Sequence, residues 1–163
     1  YRSIGINRND FMSLIQINDN RPDDIKAIQW LSFASNAFNV MVPFYADIET
    51  TPDYLSNTTG EVSTDNFYWS SRMIAAMADA SYKKSIFHIE RYQEHVLSKG
   101  HEIINRYDDM IQNETNTDRH LALKHEANLA VADMLKAATS DTLGKVLYEL
   151  SNEMKNAYSR SDA

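Results

Sequence analysis

The five histidines are the side chains best suited to hold a metal ion. His88, His95 and His101 fall in one predicted helix, at intervals of seven and six residues. An interval of seven places His88 and His95 on one face but about 10 Å apart, which is too far for one small ion. His120 and His125 are five residues apart, whereas metal-binding helices use a pair at i and i+4. The spacing therefore predicts no metal site and no metal cofactor.

The other acid–base patterns in the sequence are incomplete. His125-Glu126 begins the zinc-protease motif His-Glu-x-x-His, but the last position is Leu129. The pairs Asp23–Asp24 and Asp108–Asp109 are adjacent in sequence, and neighbouring residues on a helix or strand do not face each other. These carboxylates therefore fit a solvated surface better than a catalytic pair.

Three polar side chains lie where they could contact a substrate. Arg72 follows Tyr68 by one helical turn among apolar neighbours, so its charge needs a partner. That partner is either a carboxylate of the protein, which we favour, or the carboxylate of a substrate. Asn36 and Asn39 flank a predicted turn at the end of a buried strand. Asparagine is common at turns for backbone reasons, and its amide can also stabilise an oxyanion, so both alternatives remain open.

The composition excludes several classes of function. There is no cysteine, so these 163 residues contain no thiol nucleophile, disulfide or cysteine metal site. A net charge of −7 leaves no surplus of lysine and arginine to neutralise phosphates, which argues against nucleic-acid binding. The sequence has neither a run of 18 apolar residues nor a secretory signal pattern, so no membrane association is predicted. We expect a cytoplasmic protein.

The first third of the chain is predicted to be an antiparallel strand meander, over about residues 2–45. Short strands are predicted at Arg2–Ile6 and Phe11–Ile17, and Asn18–Asp24 is a clear turn signal. The stretch Lys26–Tyr45 is predicted to form two buried strands joined by a turn at Ser35–Phe38. Both faces of these strands are largely apolar, including both faces of Phe11–Ile17, so we expect both to be covered.

Three long helices are predicted after an irregular stretch at 47–62. No proline occurs after Pro52, so nothing of that kind interrupts them. The first spans about 66–82, and one of the residues Ser63–Asp65 is predicted to be its N-cap. Its expected buried stripe is Trp69, Met73, Met77 and Ala80. The second spans about 84–112. The third has Asn116 or Thr117 as its predicted N-cap and is expected to bend or restart at Thr139–Asp141.

These elements are predicted to form a single α+β domain, with a β part at 1–62 and a helical part at 63–163. The sequence begins with Tyr1 rather than methionine, and the first six residues already resemble a strand. We therefore expect the parent protein to continue upstream of this stretch.

Several segments carry a resemblance to a known family. The strongest are Ile28-Gln29-Trp30-Leu31, Val42-Pro43-Phe44-Tyr45, Pro52-Asp53-Tyr54 and Ser63-Thr64-Asp65-Asn66-Phe67-Tyr68-Trp69-Ser70-Ser71-Arg72. Further ones are Arg2-Ser3-Ile4, Leu14-Ile15-Gln16 and Ile89-Glu90-Arg91-Tyr92-Gln93-Glu94. Together they resemble the C-terminal portion of the bacterial dipeptidase A family, the cysteine dipeptidases among the N-terminal-nucleophile hydrolases.

The resemblance implies an α-β-β-α sandwich and the hydrolysis of dipeptides without a cofactor. In that family a cysteine at the mature N-terminus attacks the peptide carbonyl, its own α-amino group is the base, and amides hold the oxyanion. Since this sequence has no cysteine, the resemblance implies a C-terminal fragment that is inactive alone. Its partners would be the N-terminal catalytic half of the same polypeptide and the dipeptide. Asn36 is then the candidate oxyanion donor and Arg72 a candidate substrate contact.

A non-enzymatic helical interaction module, with the β part as its platform, is the alternative function. The upstream sequence distinguishes the two, because a cysteine that becomes the N-terminus would decide for the enzyme. Half of a two-layer sandwich should expose an apolar sheet face, unless its own helices fold over that face. We therefore expect a homo-oligomer formed through the sheet.

Overall fold

The fold is of the α+β class, as predicted, with an antiparallel sheet followed by long helices. The computed structural model describes residues 9–35 and 37–154. The strands are β1 (Phe11–Ile17), β2 (Ala27–Phe33) and β3 (Val42–Tyr45). The helices are α1 (Asp53–Ser56), α2 (Phe67–Ala80), α3 (Tyr82–Gln112) and α4 (Thr117–Asn152). The strand predicted at Arg2–Ile6 lies outside the described residues.

The three strands form a meander in the order β1-β2-β3. The predicted turn after β1 is present, and the backbone N–H of Asn18 donates to the carbonyl of Lys26 at 2.9 Å. The connection between β2 and β3 is longer than predicted, because β2 ends at Phe33 and β3 begins only at Val42. This longer connection leaves room for the cavity described below.

Helix α3 covers one face of β2 and β3. Trp30 and Tyr45 on this face are buried. The Tyr45 hydroxyl donates to Asp108 Oδ1 at 2.6 Å, and Gly100 lies directly against the ring of Pro43. A glycine at this point lets the helix backbone approach the strand closely.

The outer edge of β3 is closed by one side chain from α4. The backbone N–H of Tyr45 donates to Asn128 Oδ1 at 2.9 Å, and Asn128 Nδ2 donates to the carbonyl of Tyr45 at 3.0 Å. The Asn128 amide therefore satisfies the two backbone groups that a neighbouring strand would otherwise pair. Asn128 is fully buried, so water cannot take its place.

The opposite face of the sheet is covered over β3 but not over β1. Phe44 is buried, and the loop 46–52 together with α1 encloses a cavity of about 150 Å³ beside it. On β1, however, Phe11, Ile15 and Ile17 are each more than half exposed. The prediction that both faces of Phe11–Ile17 are covered is therefore wrong for the described residues. The physical reason is that the helices pack on β2 and β3 and none of them reaches β1.

Helix α2 begins one residue later than predicted and turns a different face inward. Its N-cap is Asn66, whose Oδ1 accepts from the backbone N–H of Trp69 at 2.9 Å, rather than a residue of Ser63–Asp65. The buried residues are Phe67, Ser70, Ser71, Ile74, Ala75 and Ala78. The predicted stripe is largely wrong: Met77 does pack partly buried against the core, but Ala80 is exposed. The Trp69 indole instead donates to the carbonyl of Thr59 at 2.9 Å.

Helix α4 runs without a break from Thr117 to Asn152, so the predicted bend at Thr139–Asp141 is wrong. The hydroxyl of Thr139 is buried and bonded to the Tyr92 hydroxyl at 2.8 Å, so it does not compete for the helix backbone. The predicted cap is correct, since Asn116 Oδ1 accepts from the backbone N–H of Asp118.

The stretch at 47–62 also contains α1, which was not predicted. Within 9–35 and 37–154, no helix combines the length and apolarity needed to cross a membrane.

Three ion pairs attach the loops of the sheet to α3 and α4. They are Arg21–Asp108 at 2.5 Å, Asp24–His120 at 2.6 Å and Asp47–Lys124 at 2.9 Å. Asp108 and Lys124 are buried. Burial raises the pKa of Asp108 above its ordinary 3.8, although the hydrogen bond from Tyr45 and the charge of Arg21 favour the ionised form. Removing either partner of such a buried pair leaves an uncompensated charge.

His120 contacts two hydrogen-bond acceptors at once. Its Nδ1 lies 2.6 Å from Asp24 Oδ2, and its Nε2 lies 3.1 Å from the carbonyl oxygen of Glu114. A neutral imidazole has only one N–H, so both hydrogen bonds exist together only in the imidazolium form. The Glu114 carbonyl and the Asp24 carboxylate accordingly raise the pKa of His120 above its ordinary 6.5.

We expect His120 to make stability depend on pH. Because its folded-state pKa is raised, its contribution is fully present below about pH 6.5, the unfolded value, and is lost as the pH rises through the folded pKa. His120→Gln should therefore destabilise the protein most at low pH. At high pH the free energy of unfolding of this variant should approach that of the parent. Urea unfolding at a series of pH values measures this difference.

The matched control for that series is His95→Gln, since His95 is exposed on α3. We expect the free energy of unfolding of this variant to differ from that of the parent by the same amount at every pH of the series. A loss of stability in His120→Gln that stays constant with pH would contradict the imidazolium assignment.

Candidate functional site

A cavity of about 400 Å³ opens at the end of the sheet where β2 leads into β3. Its walls come from the residue before β1, the β2–β3 connection and the outer face of α2. The lining residues are Asp10, Ser35, Phe38, Arg72, Ala75, Ala76 and Asp79. A cavity of this size is in the range of small-molecule sites, and its lining combines charged groups with apolar walls.

Helix α2 forms one wall because four of its residues share a face. Arg72, Ala75, Ala76 and Asp79 are spaced at i, i+3, i+4 and i+7, which brings them onto one side of the helix. The two alanines leave space between the charged side chains at either end. This wall of the cavity is therefore a short apolar surface with a positively charged side chain at one end and a negatively charged side chain at the other.

The connection between β2 and β3 forms the opposite wall and begins with an unusual backbone. Ala34 is buried and has a φ of 63°, in the left-handed region that non-glycine residues rarely adopt. Its N–H donates to the carbonyl of Asp10 at 2.9 Å, and the N–H of Phe38 donates to the carbonyl of Ser35 at 3.2 Å. Strained conformations of this kind persist where the surroundings hold them, and they cluster at functional sites.

Asn39 fixes this connection to the helices. Its Oδ1 accepts from Ser71 Oγ at 3.2 Å and from the N–H of Val40 at 2.8 Å. Gln93 Nε2 in turn donates to the backbone carbonyl of Asn39 at 2.9 Å. Asn39 is buried, and its Nδ2 has no hydrogen-bond partner among the described residues. Of the two roles open for Asn39, these contacts support the backbone one.

Arg72 has a protein partner. Its Nη1 lies 2.8 Å from Asp10 Oδ1 and donates to the Tyr68 hydroxyl at 3.4 Å, and the guanidinium carbon is 5.7 Å from the Tyr68 ring centre. The favoured structural ion pair is therefore present. Both side chains are about half exposed, so a substrate contact by Arg72 stays a prediction.

Asn36, the candidate oxyanion donor, lies outside the described residues, although its neighbour Ser35 lines the cavity. Sequence reasoning did not single out Asp10 or Asp79. Asp79 had a usable signal, because it lies two helical turns after Arg72 on the same face. Asp10 had none, since its contact with Arg72 joins residues 62 positions apart.

The histidines do not assemble into a centre. In the part of the chain that the structure describes, no group of three or more histidine, cysteine, aspartate or glutamate side chains could hold a metal ion. His88 instead contacts Glu149, His101 packs on Trp30 and His125 contacts Thr50.

A larger cavity of about 610 Å³ lies between α3 and α4. Several of its charged side chains already have protein partners. Lys145 pairs with Asp141 at 2.5 Å and His88 with Glu149 at 3.2 Å, while Arg91 lies 4.0 Å above the Phe87 ring. The cavity at the β2–β3 connection is the better candidate site, because the strained backbone of Ala34 adjoins it, whereas none of the described residues that line the larger cavity has a positive φ.

Comparison with known proteins identifies the family. The sequence model of peptidase family C69 matches residues 1–95. A probable dipeptidase A from Streptococcus pyogenes is 38% identical over 162 residues, which cover 99% of this chain and 34% of that protein. A dipeptidase from Bifidobacterium longum is 35% identical over 199 residues, with coverages of 99% and 37%. Dipeptidase A from Lactobacillus helveticus is 30% identical over 149 residues, with coverages of 91% and 31%.

The chain belongs to peptidase family C69, and its relatives are bacterial proteins named as dipeptidases. The resemblance to the dipeptidase family is thereby confirmed. The chain spans about a third of the length of the curated relatives it matches. Every residue that lines the candidate cavity falls within the part matched by the family model.

Proposed function

We propose that this chain is the C-terminal part of a cysteine-type dipeptidase. The nucleophile would be an N-terminal cysteine in the part of the polypeptide outside these 163 residues. Family membership and the names of the relatives support the reaction class. The proposal rests on the geometry of the sheet. Helix α3 packs on one face, and on the other face α1, α2 and the loop 46–52 lie over β2 and β3 but leave the apolar residues of β1 exposed.

In this proposal a second sheet covers the open face and completes an α-β-β-α sandwich of the N-terminal-nucleophile type. Phe11, Ile15 and Ile17 would then be buried between the two layers, where apolar side chains on both inner faces belong. The catalytic half of the same polypeptide is thus the first partner. Any of this apolar surface that stays uncovered would favour association of two or more copies, as expected from the sequence.

The proposed chemistry needs two steps. The cysteine thiolate adds to the peptide carbonyl, and the C-terminal amino acid leaves as an amine after taking a proton from the α-ammonium group. Water then adds to the thioester and releases the N-terminal amino acid together with the free thiol. The oxyanion of each step needs amide donors, and Asn36 is the candidate from this chain. No cofactor takes part.

Turnover by the full-length protein tests the proposal. We expect the full-length protein to hydrolyse unmodified dipeptides, with the released amino acids quantified by chromatography. The 163-residue chain alone, and the full-length protein with its N-terminal cysteine replaced by alanine, should give no turnover above the buffer rate.

Turnover by the isolated chain would contradict the proposed location of the nucleophile. Inactivity of the full-length protein on a broad dipeptide panel would favour the non-enzymatic interaction module. A cytoplasmic location is part of the same proposal, and fractionation of cells followed by detection of the full-length chain tests it.

A further inference from the structure

We propose that the cavity at the β2–β3 connection binds both charged ends of a free dipeptide, with Asp79 contacting the α-ammonium group and Arg72 contacting the carboxylate. This inference rests on the proposed function and names the residues that would recognise the substrate. A dipeptide differs from an internal peptide segment in carrying both charges within two residues. A site that binds both charges therefore selects for length as well as for peptide character.

The two side chains are placed for such a ligand. Arg72 and Asp79 are seven residues apart on α2, so their Cα atoms are separated by about 10 Å along the helix axis. The guanidinium leans toward the helix N-terminus, since it lies beside Tyr68, and this widens the gap between the two charges. An extended dipeptide spans about 7 Å. Hydrogen bonds of about 3 Å at each end bring the required gap to about 13 Å.

The walls between the charges suit a peptide. Ala75 and Ala76 lie between Arg72 and Asp79 and leave room for a backbone, while Phe38 of the β2–β3 connection lines the same cavity. A tripeptide is about 3.5 Å longer, so its two ends would not reach both charges in the same extended conformation. This gives the preference for dipeptides a physical cause.

Both charged groups keep capacity for a ligand. The ion pair with Asp10 uses only Nη1 of Arg72, so the other N–H groups of the guanidinium remain for a substrate carboxylate. Asp10 then acts as a positioning residue that holds the guanidinium at the cavity. Asp79 is exposed, and within the described residues no lysine, arginine or histidine lies within ion-pair distance of it.

The test compares three ligands in the full-length protein: a free dipeptide, its N-acetyl form and its C-terminal amide. The parent should prefer the free dipeptide over each blocked form by about 10- to 100-fold in kcat/KM, as expected for a charge-assisted contact. In Asp79→Asn the penalty for N-acetylation should disappear while the penalty for amidation remains. In Arg72→Gln the pattern should be the reverse. The losses on the free dipeptide should lie mainly in KM.

The matched control is Asp133→Asn, which removes an exposed aspartate of α4 that does not line the cavity. It should keep both penalties, and the far-UV circular dichroism of all variants should match that of the parent. If the parent turns over dipeptides but Asp79→Asn retains the full N-acetylation penalty, the recognition site is wrong and the proposed function stands. If the parent turns over no dipeptide, the proposed function fails and this inference fails with it.

Discussion

Replacing Asn128 by leucine is expected to destabilise the fold by about 2 to 6 kcal/mol, because it leaves two buried backbone groups without partners. The N–H and the carbonyl of Tyr45 both bond to this one side chain, at 2.9 Å and 3.0 Å. Leucine has a similar size but neither donates nor accepts, and the site is closed to water. Urea unfolding monitored by far-UV circular dichroism measures the loss.

Two further substitutions test whether the loss comes from the unpaired backbone groups of Tyr45 or from replacing any asparagine of α4. Asn128→Asp keeps an acceptor for the N–H of Tyr45 but places a buried carboxylate against its carbonyl, so it should also be strongly destabilising. Asn152→Leu changes an exposed asparagine in the last turn of the same helix and should stay within about 0.5 kcal/mol of the parent. Equal unfolding midpoints for Asn128→Leu and Asn152→Leu would rule out the edge-closing role.

Opposite effects are expected from the same substitution at two helical glycines. A Cβ atom at position 100 would lie 2.8 Å and 2.9 Å from the Cδ and Cγ atoms of Pro43, a rigid ring that cannot turn aside. Gly100→Ala should therefore destabilise by about 1 to 3 kcal/mol through overpacking. At Gly144 nothing lies within 4 Å of the added atom, so Gly144→Ala should stabilise by up to about 1 kcal/mol through helix propensity.

The Gly144→Ala variant is the internal control for Gly100→Ala, since both replace a glycine inside a long helix. Thermal and urea unfolding of the two proteins, compared with the parent, give the sign of each effect. Stabilisation by both substitutions would show that helix propensity, rather than the approach of α3 to β3, decides the result at position 100 as well.

The local features of the fold could be predicted because they depend on residues close in sequence. The turn after β1, the three long helices and the cap at Asn116 all have short-range signals. The buried face of α2 could not be predicted from hydrophobicity alone. Ser70 and Ser71 face inward there, and Trp69 binds a loop carbonyl instead. The sequence pattern records how apolar a residue is but not which neighbour it meets.

The candidate site depends still more on long-range geometry. The sequence indicated that Arg72 needs a partner, but nothing local pointed to Asp10, which the fold brings to it from 62 residues away. The longer β2–β3 connection, and with it the positive φ of Ala34, also went unpredicted, since alanine gives no sign of a left-handed backbone. Gly100 and Gly144 cannot be told apart from the sequence either, because only the contact of Gly100 with Pro43 distinguishes them.

The closure of β3 by Asn128 also sets an order of events during synthesis. Asn128 follows Tyr45 by 83 residues, and a ribosome adds about 5 to 20 residues per second. The edge of β3 therefore stays open for roughly 4 to 17 s after Tyr45 is added, and longer while α4 leaves the exit tunnel. In that interval the nascent chain presents an unpaired strand edge beside apolar surface, which is the feature that chaperones bind and that other nascent chains can pair with.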